Sequence, residues 1–151
     1  MLFFIAAKIT GRESCPDGMV SNKTRYTPGK LSQIDIWAIN KDELYIFELK
    51  KKGNNPLGII SELMFYTNVI CDLLSHNIII DQKKALRASQ NKYRSFDKFY
   101  EVYNGQKKIS KIHSVLLADG LHTLLDDEVL AIINNSVRFK HNNVIFEVDK
   151  P

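Results

Sequence analysis

Cysteine is nearly absent from the chain. Cys15 and Cys71 are its only two, too few for the disulfide framework that holds small secreted domains together. Cys71 falls in an apolar helical pattern and reads as a buried thiol, and a reducing cytoplasm is the expected compartment. Long apolar runs are also missing. The early run from Met1 to Ala7 is broken by Lys8, far short of the ~20 residues that span a bilayer. No basic leader and no clear small-residue cleavage site accompany it, so neither a membrane partner nor a signal peptide is expected. The run reads as a buried strand or helix. The glycines Gly11, Gly18 and Gly29 make no phosphate-cradling loop. His76, His113, His122 and His141 lack zinc-ligand spacing, and Cys71 and His76 would face different ways on a helix. Ser114 and Asp119 with His113 or His122 lack the sharp turn that presents a nucleophile. There is no internal repeat and no low-complexity tract.

What remains is an ordinary globular composition. The chain has 151 residues, 44% hydrophobic and 25% charged, which fits one domain spanning residues 1–151 with one core. The net charge of +4 is unevenly spread: +3 over residues 1–53, −3 over 54–81, +7 over 82–112 and −3 over 113–151. A strongly basic segment suggests a surface that faces a polyanion. A solvated helix face accounts for it equally well.

Residues 10–32 are rich in turn formers, with room for a short strand around Met19 to Tyr26. Gln33 to Ile39 and Leu44 to Lys50 are apolar runs rich in Ile, Trp, Tyr and Phe, separated by the polar Asn40-Lys41-Asp42-Glu43. This predicts a β-hairpin. One face carries Ile34, Ile36, Ala38, Tyr45, Phe47 and Leu49, and the other Trp37, Ile39, Leu44 and Ile46. A hairpin apolar on both faces belongs inside a layered structure. After a break at residues 51–56, an apolar stripe at helical spacing predicts a helix over 57–75. A short strand is expected at 77–80, a basic helix with aromatics at 83–103, and a buried strand at 112–118. A helix capped by Asp126 is expected at 126–135, and a last strand at 144–148. The fold class is therefore α/β (α+β), a mixed central sheet with an antiparallel hairpin, flanked by helices.

One constellation carries chemistry. A turn centred between Lys41 and Asp42 sets Asp35 opposite Glu48, and directly paired residues have Cβ atoms about 4.5–5.5 Å apart. Alternation puts Glu48 and Lys50 on one face, and a slip of one residue would send Asp35 to the other. Two such carboxylates repel and are costly to bury. A divalent cation removes that cost, and magnesium suits one or two carboxylates completed by waters and phosphate oxygens. Such an ion activates water and offsets charge on a phosphodiester, and a lysine two residues from the glutamate can hold the attacking water. The bland reading of Glu48 and Lys50 is an ion pair at the sheet rim.

The run Ile34-Asp35-Ile36, twelve intervening residues after Asp35, and then Glu48-Leu49-Lys50 resembles the PD-(D/E)XK nuclease superfamily, restriction-endonuclease-like and exonuclease-like. The resemblance covers residues 30–75. It implies a mixed sheet flanked by helices, with the acid and the acid-x-lysine on adjacent antiparallel strands and a helix after the second. It implies Asp35 and Glu48 as ligands of Mg2+ or Mn2+, Lys50 as the catalytic lysine, and hydrolysis of nucleic acid, with DNA as the expected partner. The exonuclease-like branch often carries a glutamine and, four residues on, a tyrosine in that helix. Here Glu62 and Tyr66 hold that spacing and would be supporting residues. Many members also have an acid on an earlier helix. Here only Glu13 and Asp17 stand in that region, so either the chain lacks that first helix or Glu62 takes the acid's place.

Lys51, Lys52, Lys83, Lys84, Arg87, Lys92 and Arg94, with Lys98, are candidates for backbone phosphates, contacts that give affinity without sequence preference. Tyr93, Phe96, Tyr100 and Tyr103 suit base stacking or, more simply, helix packing. Nuclease-like sites often work in dimers, so a homodimer is an expectation with no interface assigned. A second expectation is the same fold with an incomplete site, binding nucleic acid or a partner protein without turnover. A third is an α/β subunit with no nucleic-acid role.

Overall fold

The structure, a computed structural model, describes residues 34–50, 58–79 and 96–149. Among them, four strands form one mixed sheet in the order β1-β2-β3-β4. β1 (Ile36–Asn40) and β2 (Glu43–Leu49) are antiparallel, joined by Lys41 and Asp42, and Ile36 faces Phe47 while Asn40 faces Glu43. Lys41 takes the left-handed conformation, φ 54°, that a two-residue hairpin loop demands. β3 (Lys111–Leu117) runs parallel to β2, and β4 (Val144–Asp149) parallel to β3. The Asp42 carbonyl accepts the Ser110 N–H at 2.7 Å, which ties the hairpin turn to the entry of β3. β3 has strands on both sides and is buried over Ile112–Leu116, as expected of an inner parallel strand.

The helices follow from their patterns and caps. α1 (Ile59–Leu74) buries Ile59, Leu63, Tyr66, Thr67, Ile70 and Leu73, spacings of three and four that make one face. It ends with His76 at φ 56°, whose N–H donates to the Leu73 carbonyl while Asn77 N–H donates to Asp72. This is a left-handed C-terminal cap built without glycine. It also corrects the strand expected at 77–80: residues 77–79 curl back over the last turn of α1 and are not strand. α2 (Phe96–Tyr103) is the described part of the basic helix expected over 83–103. α3 (Asp127–Asn134) is capped by Asp126, whose side chain accepts the Val129 N–H at 2.9 Å. α4 (Val137–His141), capped by Ser136, was not expected from the sequence. The early strand expected at 19–26 lies outside the described residues.

One face of the sheet carries Trp37, Ile39, Leu44, Ile46, Ile112, Leu116, Val144 and Phe146, and these join Leu63, Tyr66, Phe99 and Phe139 in the core. Trp37 meets Phe99 edge-on at 5.7 Å, and Phe139 lies 4.8 Å from Phe146. A buried hydroxyl pair, Thr67 Oγ1 and Ser114 Oγ at 2.7 Å, crosses between α1 and β3. Arg138 on α4 reaches Asp72 at 2.8 Å on α1. The described helices thus lie on this face. The other face carries Tyr45 stacked on His113 at 4.4 Å, with His113 Nδ1 3.0 Å from Glu147. Among the described residues β4 is an edge strand, and Asn134 covers part of its edge, accepting the Phe146 N–H at 2.7 Å and donating to its carbonyl at 3.0 Å. Such a cap prevents a strand edge from pairing with another chain. No helix among the described residues is long and apolar enough to cross a membrane.

Candidate functional site

The hairpin register decides which side chains meet. Trp37 opposite Ile46 and Ile36 opposite Phe47 extend, one step further, to Asp35 beside Glu48. The Asp35 carboxylate is held there, because its Oδ2 accepts the Leu49 N–H at 3.0 Å. Alternation then turns Glu48 toward the helix-covered face with Leu44 and Ile46. There α1 brings Glu62 and Tyr66 over the end of β2.

Lys50 is the hinge of the cluster. Its backbone N–H continues the sheet by donating to the Leu117 carbonyl at 3.0 Å. Its ammonium donates to Glu48 Oε1 and, at 3.2 Å, to Glu62 Oε2. Tyr66, one turn along α1, is buried and directs its hydroxyl at Glu62 Oε1 over 3.4 Å. Asp35, Glu48, Lys50, Glu62 and Tyr66, the five residues singled out from the sequence, therefore lie together at one end of the hairpin. What the sequence did not reveal was the backbone contribution, the Leu49 N–H that fixes Asp35.

Glu48 is the unusual member. It is only 3% exposed, and its Oε2 is buried with no hydrogen-bond partner. Burial pushes its carboxyl up to about 7, with the charges of Asp35 and Glu62 adding to the rise and Lys50 opposing it. For Lys50, burial works against the ammonium, but the hydrogen bonds and charges of Glu48 and Glu62 outweigh it and the net direction is upward. Lys50 is cationic, whereas Glu48 stands near its midpoint at neutral pH. With Glu48 ionised, three carboxylates share one ammonium. Either a proton on Glu48 or a cation from outside must relieve the imbalance.

The donor set fits a hard divalent cation. Glu48 offers a buried oxygen without a partner, and Asp35 keeps lone pairs beyond the one used by Leu49. Oxygen ligands of this kind, completed by water, suit magnesium or manganese. Among the described residues no group of three or more His, Cys, Asp or Glu side chains is arranged to hold a metal ion. Any ion here would rest on two carboxylates and water.

The basic candidates are distributed differently. Lys51, Lys52, Lys83, Lys84, Arg87, Lys92 and Arg94 lie outside the described residues. Of the rest of the +7 segment, Lys98 pairs with Glu101 at 2.7 Å. Lys107, Lys108 and Lys111 lie at the entry of β3, which pairs with Glu43 at the start of β2. That is the opposite end of a seven-residue strand, and the strand from Glu43 to Glu48 spans about 17 Å at about 3.3 Å per residue. These three lysines cannot share a phosphate with the site. Of the stacking candidates, Tyr103 is buried and packs the helix. Ser114 is buried against Thr67 and takes no part in a nucleophilic triad. Compared with known proteins, the chain matches no family model, no curated protein and no solved structure.

Proposed function

We propose that the chain is a metal-dependent nuclease of the PD-(D/E)XK type, hydrolysing phosphodiester bonds in nucleic acid, with DNA as the expected substrate. The observation that carries this reading is Glu48, a carboxylate buried with one oxygen unpartnered, flanked by Asp35 and Lys50 at the hairpin end. Asp35 and Glu48 would hold Mg2+ or Mn2+, which when bound supplies a Lewis acid for the phosphate and lowers the pKa of a bound water. Lys50 then turns its ammonium toward the attacking water or the charge that develops on phosphate. Glu62 holds Lys50 from the far side at 3.2 Å, and Tyr66 limits where Glu62 can go. Lys51, Lys52 and the basic residues of 83–94 would contact the backbone phosphates. A reducing cytoplasm suits the unbridged, buried Cys71.

A second reading is a non-catalytic module that binds nucleic acid or a protein. Lys50 spanning Glu48 and Glu62 offsets part of the negative charge without any metal, which favours it. The two readings separate in a cleavage assay on single- and double-stranded DNA with magnesium, manganese or chelator. The nuclease reading expects metal-dependent cleavage that disappears in Asp35→Ala and Lys50→Ala while the circular dichroism spectrum persists. Full activity in either variant would sink the residue assignment. Salt-sensitive binding without turnover, indifferent to chelator, would favour the second reading.

A further inference from the structure

The two ends of the sheet carry opposite charge. At the end where β2, β3 and β4 finish stand Asp35, Glu48 and Glu62 around Lys50, with Asp119 just past β3 and Asp149 closing β4. At the other end three loops are tied together. The Asp42 carbonyl in the hairpin turn accepts from the Ser110 N–H at 2.7 Å and from its hydroxyl at 3.3 Å, just before β3. The Asn143 side chain, just before β4, donates to the Ser110 carbonyl. These bonds gather Lys41, Lys107, Lys108 and Lys111 at one end of the sheet, with Lys140 in the last turn of α4 beside them.

Among the described residues no ion pair engages any of these five lysines. The acids beside them are Asp42 and Glu43. Glu43 is occupied by the Tyr45 hydroxyl at 2.7 Å, and Asp72 on α1 is matched by Arg138. Asp42 is exposed. Its carboxyl is held below the ordinary range, first by the Ser110 hydrogen bond and further by the charges of Lys41 and Lys107. Those two lysines, from different loops, therefore act on one group. Lys111 lines a small cleft with Ser75 and Asn142. Between the lysines the exposed side chains are amides and a hydroxyl, Asn40, Gln106, Ser110 and Asn143, the donors that join lysine in phosphate-backbone contacts. The apolar side chains that insertion into a membrane surface requires are not among them.

We propose that this basic end is a nucleic-acid anchor, a surface that grips the phosphate backbone away from the site. The inference rests on the nucleic-acid part of the reading above and not on turnover. An acidic site repels the backbone it acts on until a cation arrives. Charges further apart than the Debye length, about 8 Å at physiological salt, are largely screened. Lysines about 17 Å away along β2 therefore do little to offset the charge of the site. They act by touching the nucleic acid on its flank, where each contact releases counterions and adds affinity without sequence preference.

The test is fluorescence anisotropy of a long labelled DNA duplex with the full chain, in chelator, over a series of salt concentrations. The triple variant Lys107→Gln, Lys108→Gln and Lys111→Gln is expected to bind more weakly. The slope of log K against log salt should shrink by about 2.7, at about 0.9 per lysine. Asp42→Asn should act in the opposite sense and tighten binding a few-fold, the scale of one exposed charge contact. These side chains reach solvent, and unchanged circular dichroism confirms that the variants fold. An unchanged slope in the triple variant overturns the proposal. So does a wild type that leaves the duplex unbound, or one that binds vesicles of anionic phospholipid in its place. Binding is read without metal, so the two readings fail separately. An anchor that holds where no cleavage is found counts against the nuclease reading alone, and an unchanged slope with cleavage intact counts against the anchor alone.

Discussion

Replacing Glu48 with glutamine removes a titration from the middle of the fold, and the consequence can be worked out before the experiment. In the folded chain the carboxyl is raised from its ordinary 4.5 to about 7, chiefly by burial. The folded state therefore holds the proton more tightly than the unfolded state. Below about pH 4.5 both states are protonated and the group is neutral to stability. Between 4.5 and about 7 the unfolded chain releases its proton first, so stability falls as pH rises. Above about 7 the full cost is present, about 3 kcal/mol at about 1.4 kcal/mol per pH unit. The glutamine amide would still offer an oxygen to Lys50 but cannot ionise. Urea unfolding of wild type and Glu48→Gln, with chelator present, should give two stability curves that coincide in shape at acid pH. They should separate in favour of the glutamine variant by about 3 kcal/mol toward pH 8. A saturating divalent cation should close the gap by stabilising the ionised wild type. Parallel curves across this range would refute the claim that Glu48 is a buried carboxylate short of partners.

Other expectations follow from single contacts. Thr67 Oγ1 donates to the Leu63 carbonyl at 2.7 Å and so accepts from Ser114. Thr67→Val strands the Ser114 hydroxyl and should cost about 1–3 kcal/mol, much of it recovered when Ser114→Ala is added, as read by urea unfolding of the four-member cycle. Asn134→Ala removes both bonds to the Phe146 backbone. It should destabilise by about 1–3 kcal/mol and hasten aggregation on heating by opening the β4 edge, both followed by calorimetry with light scattering.

The parts of the fold readable in advance are those determined by near neighbours. The polar turn at Lys41 and Asp42 sets the hairpin register by itself, and the register carries Asp35 to Glu48. The stripe from Ile59 to Leu73 needs only helical periodicity, and Asp126 announces its helix by its position. Three features escape that reading. Asn77 to Ile80 has the composition of a strand, but His76 in the left-handed conformation turns the chain back on α1. α4 is only five residues long, too short for periodicity to show. The lysines at 107, 108 and 111 belong to the same basic segment as the phosphate-contact candidates. Parallel pairing of β3 with β2 puts them at the far end from the site, and strand order is not written in local pattern. The site itself was legible as residue types. Its electrostatic state was not, because the depth of Glu48 depends on α1 closing over the hairpin.

The central claim is that Asp35 and Glu48 form a metal site. Titration calorimetry at about pH 8, where Glu48 is mostly ionised, tests it most directly, with magnesium or manganese added to the wild type and to Asp35→Asn with Glu48→Gln. Both substitutions keep the shape of the side chains, so the fold is retained. Saturable binding in the wild type that vanishes in the double variant is the predicted result. A wild type that binds neither ion, or a double variant that binds as well as the wild type, would contradict it.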